Sequence, residues 1–213
     1  MGKEALRNSG GVIDVGFVFS EEVQQKCPWD TETFYGTDQK FYIVATDCKT
    51  GKPAYFEHKE WDVPTAVRAS TGMPFAMPMV PLGDSVYLDG GISDYTPVLW
   101  AMEQGYEKIV VVCTRPLNFR KDSHSKRMLE WARYKHYPKL LDALERSDDL
   151  YNRTRRLIQQ LNYEGRIFVL QPSDPSLAVS RLEGNIDRLT DWYLLGEQDT
   201  DRRMQDLKQY LER

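Results

Sequence analysis

The chain has 213 residues, 41% hydrophobic and 28% charged, which suits one domain, or one domain with a helical extension, and is long enough to bury a core. The net charge is -4, and lysines and arginines are scattered among the acids rather than blocked together, so nucleic acid is not expected as the main partner. Cys27, Cys48 and Cys113 form no close-spaced pair, no apolar run approaches membrane-spanning length, and Met1-Gly2-Lys3-Glu4 does not open a signal peptide; together these point to a reducing, cytoplasmic setting, with contact at a membrane surface left open.

Residues 1–11 are polar. Val12–Phe19 is apolar but broken by Gly16, and reads either as a strand or as a buried loop. Residues 20–38 read as a connector, with a turn at Cys27-Pro28-Trp29-Asp30. Phe41–Thr46 has the length and β-propensity of a strand. Thr50-Gly51-Lys52-Pro53 then marks a turn, and Ala54-Tyr55-Phe56 returns as a hairpin partner. Asp62 is placed to cap a helix running to about Ala69, with Pro64 early in it. From Ser70 to Pro81, three prolines stand among Met73, Phe75, Met77 and Met79, a density that excludes a helix or a central strand. This loop either walls a pocket or simply crosses the surface.

Val86-Tyr87-Leu88 reads as a strand ending at Asp89. Gly90-Gly91 would free the backbone for a sharp turn through positive φ. Pro97 can open a helix with Val98, Leu99, Ala101 and Met102 on its apolar face, and Gly105 can close it. Lys108–Cys113 is a β-branched run of the kind covered on both faces in parallel sheets. Residues 86–113 therefore predict a βαβ unit, with Asp89 at the carboxyl end of its first strand, where open α/β sheets take ligands. An aspartate before two glycines is also a common turn former, so on local pattern Asp89 is either a structural turn or a general base, or the partner that orients one. Asp47, at the mouth of a hairpin, reads as structural.

After a polar loop at 114–126, Lys126 to about Leu161 has helical period, broken at Pro138. Arg166–Leu170 is a further strand, and Leu182, Ile186, Leu189 and Tyr193 fall at helical spacing, as do Met204, Leu207 and Leu211. Trp100, Trp131 and Trp192 read as core, and Arg153-Thr154-Arg155-Arg156 as a solvated helix face.

Several chemistries find no support. His58, His124 and His136 share no metal-ligand spacing, and none lies on a clear strand end as a Ser-His-Asp set would require, although His124 in its loop stays open. No window matches G-x-S-x-G, G-x-G-x-x-G, a P-loop or D-x-D. Gly83-Asp84-Ser85-Val86 is similar to a GDSL-type esterase block but precedes a strand instead of following one, and reads as a hairpin turn. Ser70 beside Ala69 and Thr71 is a poor nucleophile setting.

Arg68-Ala69-Ser70-Thr71, Met73-Pro74, Tyr87-Leu88-Asp89-Gly90-Gly91-Ile92, Pro97, Ala101 and Gly105-Tyr106 resemble the second half of the patatin-like phospholipase family, in its bacterial branch with a helical C-terminal extension. Thr46-Asp47, Ile167-Phe168-Val169 before Gln171-Pro172, and Val179–Leu182 fit the same pattern. The resemblance implies a Ser-Asp dyad that hydrolyses carboxylic esters of lipids without metal or cofactor. Asp89 would be the base and Gly90 and Gly91 would shape its loop. The family's glycine-rich oxyanion loop and nucleophilic serine have no counterpart here, so the chain is expected to hold half the dyad and to be inactive alone.

The expectation for the fold is α/β: a mostly parallel sheet flanked by helices over residues 1–120, then a mainly helical region with one added strand over 121–213. Expected partners are a lipid or other ester, a membrane surface in peripheral contact, and a second copy joined through an exposed sheet edge. The rival reading is a non-catalytic α/β module that binds a lipid or a protein and keeps the D-G-G turn for structure.

Overall fold

Two tight turns decide the first sheet. Tyr42–Asp47 (β1) and Pro53–Glu57 (β2) are joined through Gly51, at φ 68°, and Val80–Leu82 (β3) and Ser85–Asp89 (β4) through Gly83, at φ 57°. A connection this short joins only antiparallel strands. β1 also pairs antiparallel with β4, aligning Ala45 with Asp89, and the sheet order is β2-β1-β4-β3. The computed structural model that carries this sheet describes residues 20–122, 127–180 and 182–212. Val12–Phe19 and His124 lie outside the described residues.

The chain divides into two compact units, one comprising the residues up to Thr96 with Asp122–Tyr151, the other Pro97–Lys121 with the residues from Asn152 on. In the first unit, Ser20 caps Glu21–Lys26 (α1) and Asp30 caps Thr31–Gly36 (α2), so the expected connector holds two short helices. Asp62 caps Val63–Ser70 (α3) by accepting from the Thr65 amide at 3.0 Å, and Pro64 sits in the first turn. Val63, Ala66 and Ala69 of α3 pack on Ile43, Ala45, Phe56 and Tyr87. On the other side of β4, Leu88 and Cys48 pack with Tyr134 of Arg127–Tyr134 (α5) and with Leu140 and Ala143 of Pro138–Tyr163 (α6). Pro81 is accommodated because β3 is an edge strand. Leu88 and Leu140 are both 0% exposed. Leu88→Ala and Leu140→Ala should each cost about 3–5 kcal/mol in urea denaturation, as buried leucine truncations do.

In the second unit, Val110–Val112 (β5) pairs in parallel with Phe168–Leu170 (β6). Val111, Cys113, Ile167 and Val169 pack with Val98 of Val98–Glu103 (α4) and with Ile158 and Leu161 of α6. Ile186–Glu212 (α7) closes the chain and packs on β6.

The expected mostly parallel sheet is therefore corrected. The larger sheet is antiparallel throughout, and the parallel pair is a separate sheet of two strands. β4 and β5 lie in different sheets, so residues 86–113 do not form a βαβ unit. The Ile109–Val112 run is not covered on both faces either: Val112 is 72% exposed while Val111 is buried. β-Branched residues favour extended backbone whether or not both faces are covered. Trp131 is exposed rather than core, Trp100 and Trp192 are half-buried, and Arg155 is 2% exposed rather than solvated.

Candidate functional site

Asp89 ends β4 in the first unit and is half-buried. Its backbone is fixed at both groups. The amide donates to the Gly72 carbonyl at 3.0 Å, and the carbonyl accepts from the Thr46 hydroxyl at 2.8 Å. Oδ1 accepts from the Gly91 amide at 2.8 Å and caps the 3₁₀ turn Gly90–Ile92. Oδ2 makes no hydrogen bond to the described residues. The carboxylate is thus held by one oxygen, with the other uncommitted.

The two glycines are required for space rather than for dihedral freedom, since neither has positive φ. A Cβ on Gly90 would stand 2.3 Å from the Val44 carbonyl oxygen of β1. One on Gly91 would meet the Tyr95 ring at 2.9 Å and Asp89 Oδ1 at 3.1 Å. The turn lies directly against the backbone of the neighbouring strand, and this close approach sets the direction in which the chain leaves Asp89.

Strand pairing brings further polar groups to this turn that sequence reasoning missed. Thr46, 0% exposed, places Oγ1 2.8 Å from Ser93 Oγ. The Asp94 amide donates to the Gly90 carbonyl at 2.8 Å, and Asp94 Oδ2 accepts from the Tyr55 hydroxyl at 2.6 Å. Burial pushes the Asp94 carboxyl above its ordinary value of 3.8, partly offset by the Tyr55 hydroxyl and the Thr96 amide. With the folded value raised, Asp94 favours the native state below pH 3.8, and that contribution is lost as pH rises through the folded value. Carboxyl NMR titration should place Asp94 above 3.8, and Tyr55→Phe should raise it further by deleting a donor to the ionised form. Ser93 and Asp94 are signalled only by their nearness in sequence to Asp89, while Thr46 and Tyr55, on other strands, carry no such signal.

The other candidates are structural or lie elsewhere. Asp47 Oδ1 accepts from the amides of Lys49, at 2.7 Å, and Thr50, at 3.2 Å, and from Ser85 Oγ at 2.9 Å, a turn-forming set. Burial, reinforced by the Asp47 charge, pushes the Cys48 thiol up to about 12, so it is no nucleophile at neutral pH. His58 is buried, its Nδ1 2.8 Å from Glu57 Oε1. Among the described residues no three His, Cys, Asp or Glu side chains converge as metal ligands. Arg155 of the second unit donates to Cys113 Sγ at 3.0 Å and to the carbonyls of Arg115 and Pro116, which organises the loop after β5. Asp89 and the methionines of the 70–81 loop do not line either of two cavities that lie in the second unit.

Residues 137–212, which take in all of α6 together with β6 and α7, match the model of a domain of unknown function (DUF6363). Asp89 lies outside that match. Over 192 residues the chain is 28% identical to the uncharacterized protein YjjU of Escherichia coli (strain K12), an alignment that covers 88% of this chain and 53% of that protein. The chain thus spans about half the length of the curated relative it matches.

Proposed function

We propose that this chain supplies the general base of a Ser-Asp dyad that hydrolyses carboxylic esters of lipids, as in the patatin-like phospholipases its D-G-G segment resembles. The observation that carries the reading is the division of labour within the Asp89 carboxylate. Oδ1 is fixed by the Gly91 amide, and Oδ2 is left to accept a proton. In the proposed reaction Oδ2 takes the proton of a serine hydroxyl as that oxygen attacks the ester carbonyl. It then returns the proton to the leaving alkoxide, and water releases the acyl group by the reverse proton path.

The nucleophile is placed on polypeptide other than these 213 residues, in agreement with the absence of G-x-S-x-G here. The purified chain should accordingly show no labelling by a fluorophosphonate and no turnover of a p-nitrophenyl ester. Both should appear when it is joined to a segment bearing a G-x-S-x-G serine. Labelling of the chain alone would overturn the division of the dyad. The second reading, a module that keeps Asp89 for structure, is favoured by the same Oδ1 contact, because capping the Gly90–Ile92 turn is already a structural role. It requires that no joined serine ever becomes reactive.

We place the protein in the cytoplasm, meeting lipid at the membrane surface. Among the described residues no helix is long and apolar enough to cross a membrane. Self-association is assigned to β5, whose Val112 is 72% exposed and whose second edge pairs with no strand among the described residues. Light scattering should show a species larger than the monomer, and Val112→Lys should reduce it.

A further inference from the structure

A cavity of about 720 Å³ belongs entirely to the second unit. That volume lies within the ~300–1,000 Å³ of small-molecule sites. It opens beyond the carboxyl ends of the two parallel strands. Leu117 and Asn118 come from the loop after β5, and Gln171 and Ser173 from the segment after β6. Diverging loops at such strand ends are where parallel α/β sheets take ligands. The walls are held by bonds of their own. Gln171 Oε1 accepts from the Leu117 amide at 2.6 Å, and Asp199 Oδ2 accepts from the Ser173 amide at 2.9 Å.

The lining has a defined charge. Arg202 and Arg203 stand against a single carboxylate, Asp199. Arg202 Nη2 spans Asp199 Oδ1 at 2.7 Å and Ser173 Oγ at 3.3 Å. Arg203 is differently employed. Its guanidinium lies 4.7 Å from the centre of the Phe168 ring, and only Nε is engaged, with Asp206 at 2.9 Å. That ion pair is exposed on both sides and so holds weakly. Nη1 and Nη2 of Arg203 donate to no described residue. A planar cation oriented by a ring, with two nitrogens uncommitted, is suited to bidentate recognition of a phosphate or carboxylate.

A second cavity of about 180 Å³ shares Gln171, Pro172 and Asp199 with the first and so adjoins it. Its remaining wall is mostly apolar, with Val112, Leu170, Trp192 and Leu195. We infer that this unit binds an amphiphile. Its anionic head sits against Arg203 and Arg202, and its hydrocarbon chain lies between Trp192 and Val112. The site is separate from Asp89 and does not depend on the dyad reading.

The inference is tested by calorimetric titration of the 213-residue chain with dodecyl phosphate below its micellar concentration and with methyl phosphate, the head alone. Dodecyl phosphate should bind one to one, at least tenfold more tightly than methyl phosphate. Arg203→Gln should weaken both ligands at least tenfold, and Arg203→Lys should restore part of the loss by keeping the charge without the fork. Trp192→Ala should weaken dodecyl phosphate and leave methyl phosphate unchanged. Circular dichroism of each variant confirms that it is folded. Equal affinity for the two phosphates would make the ligand a soluble phosphate ester and overturn the amphiphile. Absence of one-to-one binding, or indifference to Arg203→Gln in a folded variant, would overturn the site.

Discussion

Gly90→Ala is expected to destabilise the first unit by about 3 kcal/mol, the upper end of the usual cost of overpacking, because the clash is with backbone. The new methyl carbon would stand 2.3 Å from the Val44 carbonyl oxygen and 2.8 Å from its carbon, both main-chain atoms of β1. No rotamer relieves such a contact. Either the β1–β4 pairing slides, which displaces Asp89 from its register with Ala45, or the Gly90–Ile92 turn lifts off the sheet. Gly91→Ala is the internal control. Its closest neighbours are the Tyr95 ring and Asp89 Oδ1, side-chain atoms that can swing aside, so its cost should be distinctly smaller. Urea denaturation of the two variants side by side gives the ranking. Equal losses would mean that the turn is not held against β1 as described.

That pair of glycines also shows what sequence reasoning can reach. Local chemistry was legible wherever one residue acts on its near neighbours. Asp62 caps α3, Gly83 turns the β3–β4 hairpin, and Pro138 opens α6 after a break. The position of Asp89 at a strand end followed from the same kind of reading. Long-range pairing was not legible. The β-branched run at 109–112 announces a strand but carries no label for its sheet, and it pairs with a strand more than fifty residues on, not with β4. The reason Gly90 must be glycine lies in Val44, on another strand, so a reading from backbone dihedral freedom found the right residue for the wrong cause. Arg155 looked solvated in a run of charges, yet the carbonyls it binds lie about forty residues away in sequence. Thr46, Tyr55 and Asp94 reach the turn only through strand pairing and the chain's return after Gly90, so spacing could not announce them.

Asp89→Asn is expected to separate chemistry from architecture at the site. Asparagine keeps an oxygen that can accept from the Gly91 amide, so the cap on the 3₁₀ turn survives and stability should change by no more than about 0.5 kcal/mol. What it loses is the basicity of the second oxygen. In a polypeptide that unites this chain with a nucleophilic serine, ester hydrolysis should fall by about 10²–10⁴-fold, the usual worth of a positioned general base. Fluorophosphonate labelling should slow in parallel, because that reaction needs the same deprotonated serine. Asp89→Ala removes cap and base together, and should add a loss of about 1 kcal/mol in stability to the same loss of rate. The two variants therefore differ in melting temperature but not in activity if Asp89 is the base. If another group activates the joined serine and Asp89 only shapes the turn, asparagine leaves hydrolysis unchanged while alanine loses both fold and rate.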